Sequence, residues 1–459
     1  MRSSKFRHVF GLPAKREKCY ENIRLSRTGP NDSNLCAVNP KFLAVVEEVG
    51  GGGSFLVLPL AQTGRVGRHW AGRVTGHAGP VLELRWSPFN DNLIASSSQD
   101  CTVKVWYIPD GSPTEMKESL VTLSAHKKKV SLIEWHPVAD NIIASVGYDN
   151  LIIIWNVSKA VPVTFIRSHP DTIFSISWDR LGSALATTCK DKQVRVVDPR
   201  SGQLVSQGGG HQGAKPSRLV WLADKKMILT TGFSKYSERQ VALWSDSDLS
   251  HCLHLETIDS SSGVLMPVYD VDTSMLYLAG RGDGNIRYYE VMTEAPWLSY
   301  LSQFVSGTPQ RSLAVLPKRG VDVMSCEILR FYKLHGDLVE PISMIVPRKT
   351  DVFQDDIYTE TNAPIPALSG NLYILFLVYF QTSICRGRLD IWEGRGPSPD
   401  LHEDGGQHQD LQAGDVQAER GRHRGEREEQ RQEVHVPQRG DQPGLQTQDD
   451  SVYHRFWPR

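Results

Sequence analysis

The feature that most constrains this chain is an aspartate that returns at nearly even intervals, each time just ahead of a short apolar strand. "SSSQDCTVKVW" ends at Trp106 and "SVGYDNLIIIW" at Trp155, with Asp100 and Asp149 in equivalent places. Asp191 in "TTCKDKQVRVVD" and Asp283 in "GRGDGNIRYYEV" continue the series. Between them "TGFSKYSERQVALW" is a degenerate copy, with Glu238 in the aspartate's place and Trp244 closing the strand. Successive steps are 49, 42, 47 and 45 residues. That period means four-stranded propeller blades of the WD type. His77, His126, His169 and His211 stand upstream of the first four copies.

The spacing has a chemical reading. The Asp sits in the turn between a blade's second and third strands, where its carboxylate accepts a hydrogen bond from the His on the incoming loop. The His in turn meets a hydroxyl, and the hydroxyl meets the Trp indole; in the first copy Ser98 and Trp106 fit those two places. The clasp satisfies buried polar groups that would each cost about 1–3 kcal/mol if left unpaired, and it staples strands too short to be stable alone. His, Asp and Ser also suggest a catalytic triad. A triad occurs once per active site, whereas this set recurs blade after blade, and the third copy has Val197 where the Trp should be. The set is therefore read as structural, and no enzyme activity is expected.

Strand patterns supply the other blades. Residues 39–60 are two apolar strands around a glycine loop, and "VGGGG" there lacks the Gly-Lys-Ser/Thr and the helix of a phosphate cradle. Residues 311–334 form a further strand set, which brings the count to seven. Propeller rings close by lending a strand from one terminus to the blade made by the other, and "KFRHVFG" (Lys5–Gly11) is the candidate for that loan. The expected fold is all-β: a seven-bladed WD-repeat β-propeller over 1–340, an extension packed on it over 341–368, and a disordered tail over 369–459.

Composition excludes other classes. Lys plus Arg (51) nearly cancels Asp plus Glu (52), so no global charge favours nucleic acid or an anionic membrane. The seven cysteines are scattered with no Cys-x-x-Cys pair, which suggests neither a disulfide framework nor a zinc site; no metal or cofactor is expected. The first residues lack a signal peptide's apolar core, and the apolar run "NLYILFLVYF" falls short of the roughly 20 residues a spanning helix needs. A reducing, cytoplasmic setting is expected.

Several segments outside the repeats closely resemble coronins: "SSKFRHVFG", "CAVNPKF", "GGGSFLVLPL", "PKRGVDV", "CEILRFYKL", "EPISMIVPRK" and "DVFQDDIY", within a likeness that runs from about Ser3 to Leu368. "GDGNIRYYEV" and "EPISMIVPRK" look most like the second vertebrate class of short coronins, and "CYENIRLSR" more like the first. The resemblance implies a regulator that binds filamentous actin through its propeller, works with cofilin on filament turnover, and engages the actin-related protein 2/3 complex through a C-terminal coiled coil at the cell cortex. "CYENIR" matches the family's early motif, whose arginine contributes to filament binding, here Arg24. Lys5, Arg7, Lys18 and Arg27 lie near it in sequence, with Lys15 and Arg16, and Lys127, Lys128 and Lys129 form a second basic cluster on a loop that enters a blade. The alternative reading is a general WD scaffold, as in ubiquitin-ligase adaptors or nuclear corepressors.

Likeness to the family stops after "PALSG" (Pro366–Gly370). The sequence beyond is rich in Gly, Gln, Arg, Glu and Asp, its few aliphatics fall at no heptad spacing, and Gly421, Gly425, Pro437 and Pro443 oppose a helix. Without an apolar a/d stripe no coiled coil is expected, which puts oligomerisation in doubt. A retained intron, an altered splice or a gene-model error would each produce so abrupt a change.

Overall fold

Each strand of the repeat is a few residues of Val, Ile, Leu or Trp bounded by polar turns, and four such strands pair antiparallel into a blade. The computed structural model describes residues 4–25, 33–47, 53–67, 70–111, 115–349 and 352–375. Over these it forms seven blades: 36–77, 81–124, 130–166, 173–209, 218–259, 265–304, and 312–345 completed by strands from the N-terminus. They are numbered 1 to 7 in that order.

Burial explains why the sequence does not alternate cleanly. The second strands of blades 2, 3 and 6 (Leu93–Ser98, Ile142–Gly147, Met275–Gly280) are buried at every residue. Both faces of such a strand meet a neighbouring blade, so apolar and small residues run on without a break. The outer strand Val161–Ile166 is largely exposed along its length. The core is accordingly a set of wedges between blades. Seven apolar clusters fill the seven junctions, from Leu43 and Val45 against Leu334 between blades 1 and 7 to Ala186 and Val196 against Trp221 between blades 4 and 5.

A second tryptophan, which the repeat reading passed over, ties neighbouring blades. Trp86, Trp135 and Trp178 each end a blade's first strand, and their indole N–H groups donate to the carbonyls of Ala37, Arg85 and Glu134 at 3.1, 3.0 and 3.5 Å. Each acceptor lies on the first strand of the preceding blade.

The ring closes as expected, with a shift in the strand that does it. Phe10–Pro13, rather than Lys5–Gly11, pairs antiparallel with Leu338–Ile345, and Tyr20 continues the edge opposite Val339. The apolar residues earlier in the segment pack instead of pairing: Val9 is buried in the wedge between blades 6 and 7. Leu338–Ile345 also carries the propeller past residue 340, where the sequence reading ended it.

Beyond Ile345 the chain crosses the end of the ring where each blade's first strand finishes. Ile357 enters the wedge between blades 6 and 7, Tyr358 donates to the carbonyls of Val323 and Glu327, and Leu368 pairs with Ala139 of blade 3. Thr361 to Pro364 lie over the central channel, a cavity of about 690 Å³. The segment does not stop at 368. Gly370–Leu375 is a helical turn that the sequence reading assigned to the disordered tail, and its Tyr373 is buried edge-on against His136 at 4.7 Å. A single aromatic finding a slot beside His136 fixes this turn, which composition alone does not show. Among the described residues no helix is long and apolar enough to cross a membrane. The rest of the tail lies outside the described residues.

Candidate functional site

The clasps set the geometry of one end of the ring. In blade 2, His77 Nδ1 lies 2.8 Å from Asp100 and Nε2 lies 2.7 Å from a serine oxygen, to which Trp106 donates at 2.8 Å. That serine is Ser96, not Ser98; Ser98 donates to the Gly79 carbonyl instead. The register gives the reason. Trp106 stands opposite Ile94, so Ser96 is one same-face step away and Ser98 two, about 13 Å along the strand. Blade 3 repeats the set with His126, Asp149, Ser145 and Trp155 at 3.0, 2.8 and 2.8 Å. In both blades the hydroxyl stands four residues before the Asp, a spacing that was readable because Ser145 has no serine neighbour.

Burial would raise the Asp100 carboxyl, but hydrogen bonds from His77 and Thr102 outweigh it and hold it well below the usual range. Burial also lowers His126, against the pull of Asp149. Ser96 and Ser145 are fully buried beneath the indoles, so no substrate reaches their hydroxyls, and the sets act as staples.

Gly147 shows how tightly the clasp is built. A Cβ there would stand 2.2 Å from Asp149 Oδ1 and 2.4 Å from His126 Nδ1. Gly147→Ala is expected to lower stability by about 1–3 kcal/mol through overpacking, read as a fall in the urea midpoint. Gly209→Ala, where nothing lies within 4 Å, should move the midpoint little; equal shifts in the two variants would discount the clasp.

The later copies depart from the expected set. His169 meets Thr187 at 2.8 Å, but Asp191 is taken by Arg195, four residues further along the chain. His211 and Trp244 share Thr230 at 3.0 and 2.9 Å, yet Glu238 does not fill the Asp place and instead accepts from Ser234 within its own turn. Asp283 pairs with Arg239 of the preceding blade at 2.7 Å. For the aspartates of blades 4 and 6 an arginine thus does the work of the missing histidine contact, Arg195 from the same blade and Arg239 from blade 5. The signal was present as Arg195, two residues after Gln193, and as "ERQ" before the blade 5 strand.

These contacts turn carboxylates inward and leave cations outside. Arg24, Lys127, Lys128, Arg167, Lys192 and Lys235 are exposed on the clasp end, while Asp100, Asp149, Asp191 and Asp283 are engaged by His77, His126, Arg195 and Arg239. Asp337 is an exposed acid on this end, in the blade 7 turn beside Arg24. Arg24 is placed by Ile23, which donates to Asp337 in the blade 7 turn at 2.9 Å, and by Leu25, bridged to Glu47 of blade 1.

The basic residues of the N-terminal segment do not form one patch. Lys5 bonds the Asp356 carbonyl at 2.8 Å, beyond the Ile345 end of the strand that Phe10 pairs with, whereas Arg24 lies at the Asp337 end. Eight residues of strand put about 25 Å between those ends. Arg7 is exposed on the Lys5 side; Lys15, Arg16 and Lys18 lie on the outer rim between, with Arg16 paired to Glu21 at 2.6 Å. Arg27 lies outside the described residues. Lys127 and Lys128 share the end that carries Arg24, and Lys129 beside them is half-buried with its ammonium 4.0 Å from the centre of the Tyr148 ring.

Comparison with known proteins fits this architecture. Residues 1–65 match a domain of unknown function (DUF1899), residues 71–107, 117–156 and 160–198 match the WD domain G-beta repeat, and residues 339–374 match a type of WD40 repeat. The last match takes in the Tyr373 turn. The mitotic checkpoint complex contains a chain of the same fold, with a TM-score of 0.55 at 12% identity over 76% of this chain and 97% of that one. The crystal structure of the WD40 domain from Toxoplasma gondii coronin superposes with a TM-score of 0.76 at 32% identity, covering 81% of this chain and 95% of that domain. With nearly the whole of a coronin propeller reproduced at that identity, this chain belongs to the coronin family.

Proposed function

We propose that this coronin is a cytoskeletal regulator that binds filamentous actin through the clasp end of its propeller and acts on filament organisation and turnover at the cell cortex. The observation that carries the reading is the inward pairing of Asp100, Asp149, Asp191 and Asp283, which leaves Arg24 exposed on a rigid end where Lys127, Lys128, Arg167, Lys192 and Lys235 are exposed as well. Such a surface steers and orients an acidic polymer. Lys5 and Arg7, on the other end, are left out of this contact. The sequence resemblance adds cofilin and the actin-related protein 2/3 complex as further partners, and the second vertebrate class as the nearest relatives.

Co-sedimentation with actin filaments tests the reading. The whole chain should pellet with filaments, and pelleting should weaken as salt rises from 50 to about 200 mM, because exposed charge contacts are screened over about 10 Å. Arg24→Asp should raise the apparent Kd about tenfold or more, since it replaces an attraction by a repulsion. A folded Arg24→Asp protein that pellets like the parent would remove the site. A general WD scaffold would itself stay in the supernatant, apart from the filaments, at every salt concentration.

A further inference from the structure

The blade 5 turn is built differently from its counterparts. In blades 2 and 3 the clasp Trp stands ten residues after its hydroxyl partner, and in blade 5 Trp244 stands fourteen after Thr230. Four extra residues therefore sit in this turn, on the clasp end. They are ordered by their own hydrogen bonds. Ser234 N–H donates to the Glu238 carbonyl at 2.8 Å, its hydroxyl donates to the Glu238 carboxylate at 2.9 Å, and Tyr236 and Ser237 donate back to Ser234 at 3.1 Å each. Ser237 holds φ 64, the left-handed conformation that closes the turn.

The chain has given up the carboxylate–histidine contact of blade 5 to build this tip, whose central residues Lys235, Tyr236 and Ser237 are exposed. Tyr236 is 86% exposed, the most exposed large apolar side chain among the described residues, and Lys235 beside it is exposed too. A rigid aromatic flanked by a cation has the composition of an interface anchor, because little side-chain freedom is lost when it is covered. Its surroundings are also basic. Gly210 N–H bonds the Lys192 carbonyl of the adjoining turn, Gly213 N–H bonds the Phe233 carbonyl, and Lys215 lies 4.6 Å over the Phe233 ring. Lys192 and Lys215 thus lie on loops linked by backbone bonds to the turn that carries Lys235 and Tyr236, with Lys215 also donating to the Ser262 carbonyl at 3.0 Å, and blades 6 and 7 lie between them and Arg24.

We propose that the Ser234–Glu238 turn is a second docking point for the acidic filament, with Tyr236 as its anchor and Lys192, Lys215 and Lys235 as its cationic rim. This rests on the filament reading above. Its geometry is independent of Arg24, so the two contacts add.

The test is co-sedimentation of the full chain beside Tyr236→Ala, Lys235→Glu/Tyr236→Ala and Arg24→Asp, alone and combined, with circular dichroism melts to confirm folding. The turn carries none of the wedge contacts, so these variants should melt like the parent. Lys235→Glu/Tyr236→Ala should weaken filament binding about tenfold and flatten its salt dependence, and the loss should add to that of Arg24→Asp because the sites are far apart. Full-strength pelleting of the turn variant, with Arg24→Asp impaired, overturns the second docking point and leaves the filament reading standing. A parent chain that never pellets overturns both. In a parallel arm with phosphatidylserine vesicles, binding lost on mutation of the turn while filament binding is unchanged would assign the arc to a membrane and overturn the proposal.

Discussion

Arg239→Met is expected to destabilise the propeller by roughly 3–5 kcal/mol, the usual cost of removing one partner from a buried charge cluster. Arg239 is 1% exposed at the seam of blades 5 and 6. Its guanidinium forks onto both oxygens of Asp259 at 2.6 Å and reaches Asp283 at 2.7 Å, while Arg287 closes on Asp259 from the next blade at 2.5 Å. Burial would raise the Asp259 carboxyl, but the two arginines override it and hold it well below the usual range. Methionine fills the volume but leaves Asp283 without a cation and Asp259 with one in place of two. Urea midpoints at pH 7 read the effect. A variant as stable as the parent at pH 7 would show that the cluster adds no net stability.

The same cluster marks the limit of what the sequence makes legible. Period and strand pattern are enough for a seven-bladed ring closed by the N-terminus, because the repeat fixes the number of sheets and each sheet must bury both faces. The clasps of blades 2 and 3 are likewise readable, apart from the choice between Ser96 and Ser98 in a run of three serines. Partners across the seams are not. Nothing local to Asp283 says that an arginine will take the place of a histidine, since Arg239 and Asp283 are far apart in sequence and meet only when blades 5 and 6 stack. Sequence proximity misled in the opposite sense at the N-terminus. Lys5 and Arg24 are close in the chain, yet an extended strand carries them to opposite ends of the ring.

Acid should weaken the fold well above the carboxylate range, and two histidines set the window. His136 Nδ1 accepts from the N–H groups of Val138 and Ala139 at 3.2 and 2.8 Å, and Nε2 donates to the Gly182 carbonyl at 3.1 Å. A proton on Nδ1 would face two donors. Burial between Trp178 and Tyr373 is the main cause of the shift, the Arg200 charge adds to it, and the pKa falls to about 3. Burial, with the nearby Arg195 charge, lowers His169 to about 4. Both pKa values lie below the unfolded value of about 6.5, so the unfolded chain takes up protons first as pH falls. Stability is complete above about pH 7 and declines from pH 6.5, by about 1.4 kcal/mol per unit for each histidine. By pH 4.5 the two together remove on the order of 5 kcal/mol. The lowered carboxylates Asp100, Asp191 and Asp259 add to the loss only below about pH 4. Urea midpoints measured from pH 7.5 to 4.5 should fall throughout that range. His136→Asn, which keeps an acceptor for the two N–H groups but cannot titrate, should reduce the slope by one histidine's share, about 1.4 kcal/mol per pH unit, and leave the rest to His169 and the buried His126 and His211. Midpoints that hold level down to pH 5 would mean that His136 and His169 accept protons in the folded ring, and the tautomer drawn from the Val138, Ala139 and Gly182 contacts would then be wrong.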